Sequence, residues 1–374
     1  WLSLLLKSAF SLVGLSAYLY VLVELDSLYT TVVAIVSLLL VLILNIFGVK
    51  KVGNAQLAIV GVSVTSLVVL IALGFNSVSV VPPTDFLSDG TLGFFSGVAF
   101  LYISYAGVTK IAAIAGEISK PEKNLPLTMI ISLLLIMAVY VCVSMVLVNF
   151  IDGDTLATDI RPIYTAAAEI GGPIAGYIAG VVGVMTLLSM ANSGLLASSR
   201  FPFAMARDGA LPSVFTSISK QYMTPVFSIV VTAVAIGLAI IFLDVVKIAK
   251  LASAFKVLMF VAVNLAVIVF RETNAQWYRP KYKSPLYPFV QIFGILSGLF
   301  LLAFLGLQAL LSVLAVFIIG FFVFLAYGRK TNRSGLLSNY GVFSFLFRGK
   351  RGGSSDVSLE QEEVIEGIYS SDSQ

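Results

Sequence analysis

Long apolar runs alternate with short polar or charged stretches along most of the chain. A helix that crosses a bilayer needs about 20 mostly apolar residues. By that ruler ten segments qualify, near 2–21, 29–46, 55–74, 92–115, 127–150, 174–199, 225–242, 251–270, 289–307 and 311–327. One of them is irregular. The stretch Phe94–Pro126 starts as a spanning helix, carries Ser104-Tyr105-Ala106-Gly107 at about mid-depth, runs on through Ile111–Ala115 and ends in a charged, proline-marked loop. A helix that breaks inside a bilayer exposes N–H and C=O groups that lipid cannot satisfy. Such a break is tolerated only where protein buries it or where it lines a wet cavity. Two readings follow: the broken ends act as fixed partial charges at a substrate site, or Gly107 is a close-packing glycine of a membrane helix.

Composition narrows the class. Hydrophobic residues make up 59% of the chain and charged residues 11%, against about 25% charged in an ordinary soluble domain; mean hydropathy is +1.02. The expected fold class is an all-α polytopic membrane protein. A net charge of +4 lies in the loops and therefore speaks to orientation rather than to nucleic acid. Lys50/Lys51, Lys120/Lys123, Arg200/Arg207/Lys220, Arg271/Arg279/Lys281/Lys283 and Arg329/Lys330/Arg333 fall in alternate loops. These loops and both ends of the chain are assigned to the cytoplasm of a cell-membrane protein. The intervening loops are nearly free of Lys and Arg. The exceptions are Arg161 in the loop Ile151–Gly172, which is long enough for a short surface helix, and Lys247 and Lys250 in Asp244–Lys250. Trp277 and Tyr278 are expected at headgroup depth.

The chain contains no His, which removes imidazole relays, His-based metal sites and Ser–His or Cys–His triads. Cys142 is a lone cysteine in an apolar run and reads as a packing residue. No convergent acid, base, nucleophile or metal cluster is present, so no enzyme, cofactor or metal is expected. Trp1 opens directly inside an apolar run, and no cleavable leader is expected. Residues 1–330 form the membrane domain; 331–374 read as a cytoplasmic tail, Ser- and Glu-rich and disordered at its end.

Four motifs in order carry a family resemblance. Gly116-Glu117-Ile118-Ser119-Lys120-Pro121-Glu122-Lys123-Asn124-Leu125-Pro126 resembles the E-x-x-x-P-x-[KR]-N-x-P signature of the amino acid–polyamine–organocation transporters. Ser199-Arg200 with Ala204–Pro212 resembles their second cytoplasmic signature, and Asn45–Lys50 their N-x-x-G-[VI]-K loop. Leu251–Phe255, with Asn264–Val267 and Arg271-Glu272, matches a late helix of many members. The likeness covers roughly residues 1–330.

The resemblance implies secondary active transport of amino acids or related amines by alternating access. The family fold has about twelve helices, the first ten in two inverted repeats of five. Its first and sixth helices are broken and face each other across the substrate. Here the first segment, with Trp1, Lys7, Gly14 and Tyr18, resembles the third family helix, so the broken Phe94–Ala115 segment corresponds to the sixth. The glycine-rich break of the first helix has no counterpart, and the first two helices are absent. A fragment of a longer protein is the expected explanation, because the remaining motifs look undamaged; the alternative is a truncated, non-transporting sensor or scaffold. An intact upstream helix would favour transport.

By the resemblance, Ile103, Ser104, Tyr105, Ala106 and Gly107 contact substrate, with Tyr102 standing beside Ile103, where relatives carry a gating aromatic. Tyr102 and Tyr105 could equally be packing residues. The segment Ile174–Ser199 places Thr186, Ser189 and Ser193 on one helix face. Sodium-coupled relatives donate hydroxyls from this helix, so Thr186 and Ser189 are coupling candidates. Ser63 lies where some proton-coupled relatives hold a lysine, which leaves Na+ and H+ both open as the coupling ion. Ser189 and Ser193 also suit interhelical hydrogen bonding.

Lys256 is a charge well inside an apolar segment. At a cost of at least about 2.5 kcal/mol, it is read either as a substrate-carboxylate partner or as a lysine snorkelling to the outer boundary. Gly176-x-x-x-Gly180 and Gly294-x-x-x-Gly298 are assigned to helix contact. Glu117, Lys120, Lys123, Arg200, Arg207 and Asp208 form either an inner gate of ion pairs or solvated loop charge. The partners expected are a small substrate and the lipid bilayer.

Overall fold

The computed structural model describes residues 1–23, 29–47, 52–77, 90–105, 107, 118–219, 221–272, 280, 282 and 284–326. Ala106, Ile111–Ala115, Glu117, Trp277, Tyr278 and the tail lie outside the described residues, as do Lys50, Lys51 and Lys220. The described chain is helical: α1 (Leu2–Val23), α2 (Thr30–Phe47), α3 (Val52–Ser77), α4 (Gly90–Phe100), α5 (Pro121–Phe150), α6 (Gly153–Thr158), α7 (Pro162–Arg207), α8 (Val226–Phe242), α9 (Val245–Glu272), α10 (Phe289–Phe304) and α11 (Leu307–Ala326). Each of the ten apolar runs overlaps one of these helices. Among the described residues, six are long and apolar enough to cross a membrane, and the other apolar helices are shorter.

The polarity of the bundle is that of a protein solvated by lipid. Large apolar side chains face outward along α3 (Leu57, Val60, Val64, Val68) and α5 (Ile131, Leu134, Leu135), each about half exposed or more. The interior holds aliphatic side chains such as Leu12, Leu15, Ile236 and Ile248 together with hydroxyl residues: Ser8, Ser11 and Ser16 of α1, Ser198 and Ser199 of α7, Ser228 and Thr232 of α8, and Ser253 of α9 are all buried. Hydrocarbon tails are as apolar as leucine, so helices gain little by hiding apolar surface from them. Close backbone approach and internal hydrogen bonds hold them together instead. The hydroxyls mostly bond carbonyls of their own helix, as Ser11 does with Ser8 and Ser16 with Val13.

Helix α1 is the hub, packed against α2, α7, α8 and α9. Glycines of α7 set how closely the two come together. A Cβ on Gly183 would lie 2.6 Å from the Tyr18 ring and one on Gly180 2.8 Å from Leu22, while one on Gly194 would collide with Ser8. The Gly176/Gly180 and Gly294/Gly298 patterns are helix contacts, the second against Asn264 and Val261 of α9.

Two features depart from the expected boundaries. Helix α7 carries a corner at Gly172, whose φ of 75° belongs to the left-handed region that glycine tolerates. An outer arm therefore precedes Gly172, and with α6 it occupies the predicted surface loop 151–172. At its other end α7 does not stop at Ser199 but continues through Pro202 to Arg207. It ends at Gly209, with φ of 77°. The Asp208 N–H donates to Ala204 O and the Ala210 N–H to Met205 O, which satisfies the terminal carbonyls. Much of the second expected loop signature is thus a helix terminus.

Candidate functional site

Helix α4 abandons α-geometry at Leu101, three residues before the predicted interruption, and residues 101–105 wind as a tighter 3-10 turn. A helix end leaves carbonyls without partners, and burial makes each unpaired backbone group cost about 1–3 kcal/mol. A side chain from α9 meets that need. The Ser253 hydroxyl donates to Phe100 O at 2.9 Å and accepts from the Ile103 N–H at 3.2 Å. A serine hydroxyl has one proton and two lone pairs, so both bonds can form at once. Ser253 is fully buried and Ile103 nearly so, in a cluster with Leu251 and Ala252.

One turn further along the same face of α9 stands Lys256, at 2% exposure. Its ammonium donates to Met259 Sδ at 3.9 Å and lies 5.2 Å from the centre of the Phe260 ring. The snorkelling alternative for Lys256 is not what the structure shows, since the head group stays inside the bundle. The other side of the cluster is aromatic: the Tyr102 ring meets Phe260 edge-on at 5.9 Å. Tyr102, Ile103, Ser253, Lys256 and Phe260 therefore form one contiguous group, with Ser3 of α1 nearby, donating to Ala252 O at 3.0 Å. A cation on an aromatic face, beside a helix end held by a hydroxyl, combines positive charge with fixed backbone dipoles.

The remaining expected contacts spread outward from this group. Ser104 and Gly107 are half-buried. The Tyr105 ring packs edge-on against Tyr140 of α5 at 5.5 Å. Among the described residues nothing lies within 4 Å of a Cβ built on Gly107. Ala106 falls outside the described residues.

A second polar group lies between α3 and α7. Ser63 Oγ and Thr186 Oγ1 are 2.5 Å apart. Each also reaches a carbonyl of its own helix at 2.7 Å, Ile59 for Ser63 and Val182 for Thr186. Two coupling candidates separated by 123 positions are thereby brought together. Ser189 is half-buried further along α7, and Ser193 donates to Met190 O at 3.2 Å. Towards the end of α2, buried Asn45 donates to Asn192 Oδ1 at 2.7 Å and ties α2 to α7. Of the expected gate charges, Arg207 and Asp208 form a loose pair at 3.9 Å with both side chains largely exposed.

Two surface cavities lie away from both polar groups. One of about 550 Å³ is lined by Pro121, Met129 and Tyr282, and one of about 480 Å³ by Tyr20, Asp159 and Arg161. The Arg161 guanidinium there lies 5.7 Å from the Tyr20 ring and 5.8 Å from the Tyr164 ring.

Sequence reasoning did not single out Ser253 or Phe260. The only signal available for Ser253 was its place in the Leu251–Phe255 motif, three residues before Lys256.

The described residues form a multi-pass helical bundle in which one apolar helix ends beside a buried lysine. The chain belongs to the amino acid permease family, whose model matches residues 1–326. It is similar to the vacuolar cationic amino acid transporter 4 of Arabidopsis thaliana, 31% identical over 64% of this chain and 40% of that protein. It is also similar to the branched-chain amino acid permease BcaP of Lactococcus lactis, 26% identical over 81% of this chain and 67% of that protein. The serine/threonine exchanger SteT of Bacillus subtilis is 26% identical over 72% of this chain and 63% of its own length. The chain thus spans two fifths to two thirds of these relatives.

Proposed function

We propose that this protein is a secondary active transporter of amino acids or related amines, working by alternating access, and that the α4 break and the facing turn of α9 form part of its substrate site. The observation that carries the reading is the end of α4 held by buried Ser253, beside the Lys256 ammonium, in a chain of the amino acid permease family. The relatives' names, which speak of cationic, branched-chain and hydroxyl amino acids, support an amino acid as cargo without choosing among them. In this reading the dipole at the end of α4 meets a charged group of the substrate, and Lys256 faces its carboxylate.

The Ser63–Thr186 pair supports an ion-coupled cycle. Two hydroxyls and two nearby carbonyls gather oxygen atoms at one point between two helices, as a small cation requires. We place the protein in the cell membrane, with the basic loops on the cytoplasmic side.

The test is uptake of a panel of radiolabelled amino acids into proteoliposomes under imposed Na+ or pH gradients. Gradient-driven accumulation of at least one amino acid is expected. The variant Gly107→Leu is expected to abolish it while the protein stays at normal abundance in the membrane. Normal uptake by that variant would remove Gly107 and its neighbours from the site.

A further inference from the structure

We propose that Ser253 is a positioning residue, whose hydroxyl holds the α4 break in the one conformation that receives substrate. The proposal rests on the transport reading above and deepens it. In a continuous helix Ile103 N–H would donate to Ala99 O, and Phe100 O would accept from Ser104 N–H. At the break, Ser253 accepts from the Ile103 N–H and donates to Phe100 O. It does from α9 what the next turn of α4 would have done. A single oxygen 150 positions away in the chain thereby fixes the path of the residues that follow Phe100.

The geometry makes this more than packing. Ser253 is fully buried, so water cannot take over either bond when the hydroxyl is removed. The two backbone groups must then find partners in Ala99 O and Ser104 N–H, by winding α4 one turn further, or in substrate. Winding on moves Tyr102 and Ser104 around the helix axis, since one residue is about 100° of rotation. Without the hydroxyl the receiving conformation becomes one of several. Apparent affinity falls in proportion to its population, while turnover of the occupied site changes little.

The experiment compares native protein with Ser253→Ala, Ser253→Cys and Ser253→Thr in proteoliposomes, alongside amide hydrogen exchange over residues 100–105. Cysteine keeps the size and forms weak hydrogen bonds; threonine keeps the hydroxyl. For Ser253→Ala and Ser253→Cys we expect KM for amino acid uptake to rise about fivefold or more, with the maximal rate within about twofold of native. Ser253→Thr is expected to restore a near-native KM. The Ile103 amide is expected to exchange at least about tenfold faster in the Ala and Cys variants.

Unchanged KM with unchanged exchange, or a Cys variant that behaves as native, would overturn the proposal. Equal loss in all three variants would assign Ser253 to packing alone and overturn it too. If the native protein carries none of the amino acids tried, the transport reading fails separately. Exchange at Ile103 then still decides whether Ser253 holds the break.

Discussion

Two charged side chains, one just before α9 and one inside it, show how differently a residue behaves at the edge and in the middle of a membrane helix. Asp244 stands just before the first turn, where its carboxylate accepts from the Lys247 N–H at 2.8 Å and pairs with the Lys247 ammonium at 2.8 Å. The side-chain bond from Lys247, followed by the backbone bond, holds its carboxyl below the usual carboxylate range. A depressed folded pKa means that the cap is fully present above the unfolded value, near 3.8, and is lost as pH falls through the lower folded value. Exchange protection of residues 245–250 should therefore hold flat above that pH and decline below it. Asp244→Asn keeps a capping oxygen and should remove the pH dependence. Lys256, in contrast, is sealed inside. If it receives a substrate carboxylate, Lys256→Met should raise KM for uptake by about tenfold, equivalent to about 1.4 kcal/mol. An unchanged KM would make the lysine structural. The sequence announced Lys256 as a charge in an apolar run but could not say where its head group went, because snorkelling and burial differ only in what neighbouring helices supply. Ser253 gave less warning still. One serine among many in apolar segments carries no local mark of a bond to a backbone 150 positions away.

Helices were the most legible level. Among the described residues each apolar run carries a helix, because backbone groups in lipid have no partner outside their own segment. What the pattern concealed was where helices bend or run on. Gly171-Gly172-Pro173 reads as a loop end, yet the chain turns a single corner there and remains helical on both sides. Pro202 beside Arg200 reads as a stop, but α7 passes through both. Contacts between helices follow from side-chain size and can be tested that way. Gly183→Ala would press a methyl against the Tyr18 ring and should destabilise the protein by about 1–3 kcal/mol in a thermal unfolding assay in detergent. Gly61, on α3, has no described atom within 4 Å of an added Cβ. Gly61→Ala should be neutral or stabilise by up to about 1 kcal/mol, the helix preference of alanine over glycine.

For the molecule as a whole, the distribution of Lys and Arg makes a prediction about sidedness. In a background with Cys142→Ala, a cysteine at Asp154 should react with a membrane-impermeant maleimide added outside intact cells. One at Ser213 should react only after the membrane is opened. The opposite pattern would invert the assigned topology. The interior described above also determines which substitutions the protein can bear. In a water-soluble domain, the damaging changes are those that put polar groups into an oily centre. Here Ser8, Ser11, Ser198, Thr232 and close-set glycines share the centre with tightly packed aliphatics such as Leu12 and Ile236, while many other leucines and valines face the lipid. A survey of every single substitution should therefore run the other way. Outer positions would accept almost any aliphatic residue, and inner ones would reject an added methyl group more often than a change of polarity.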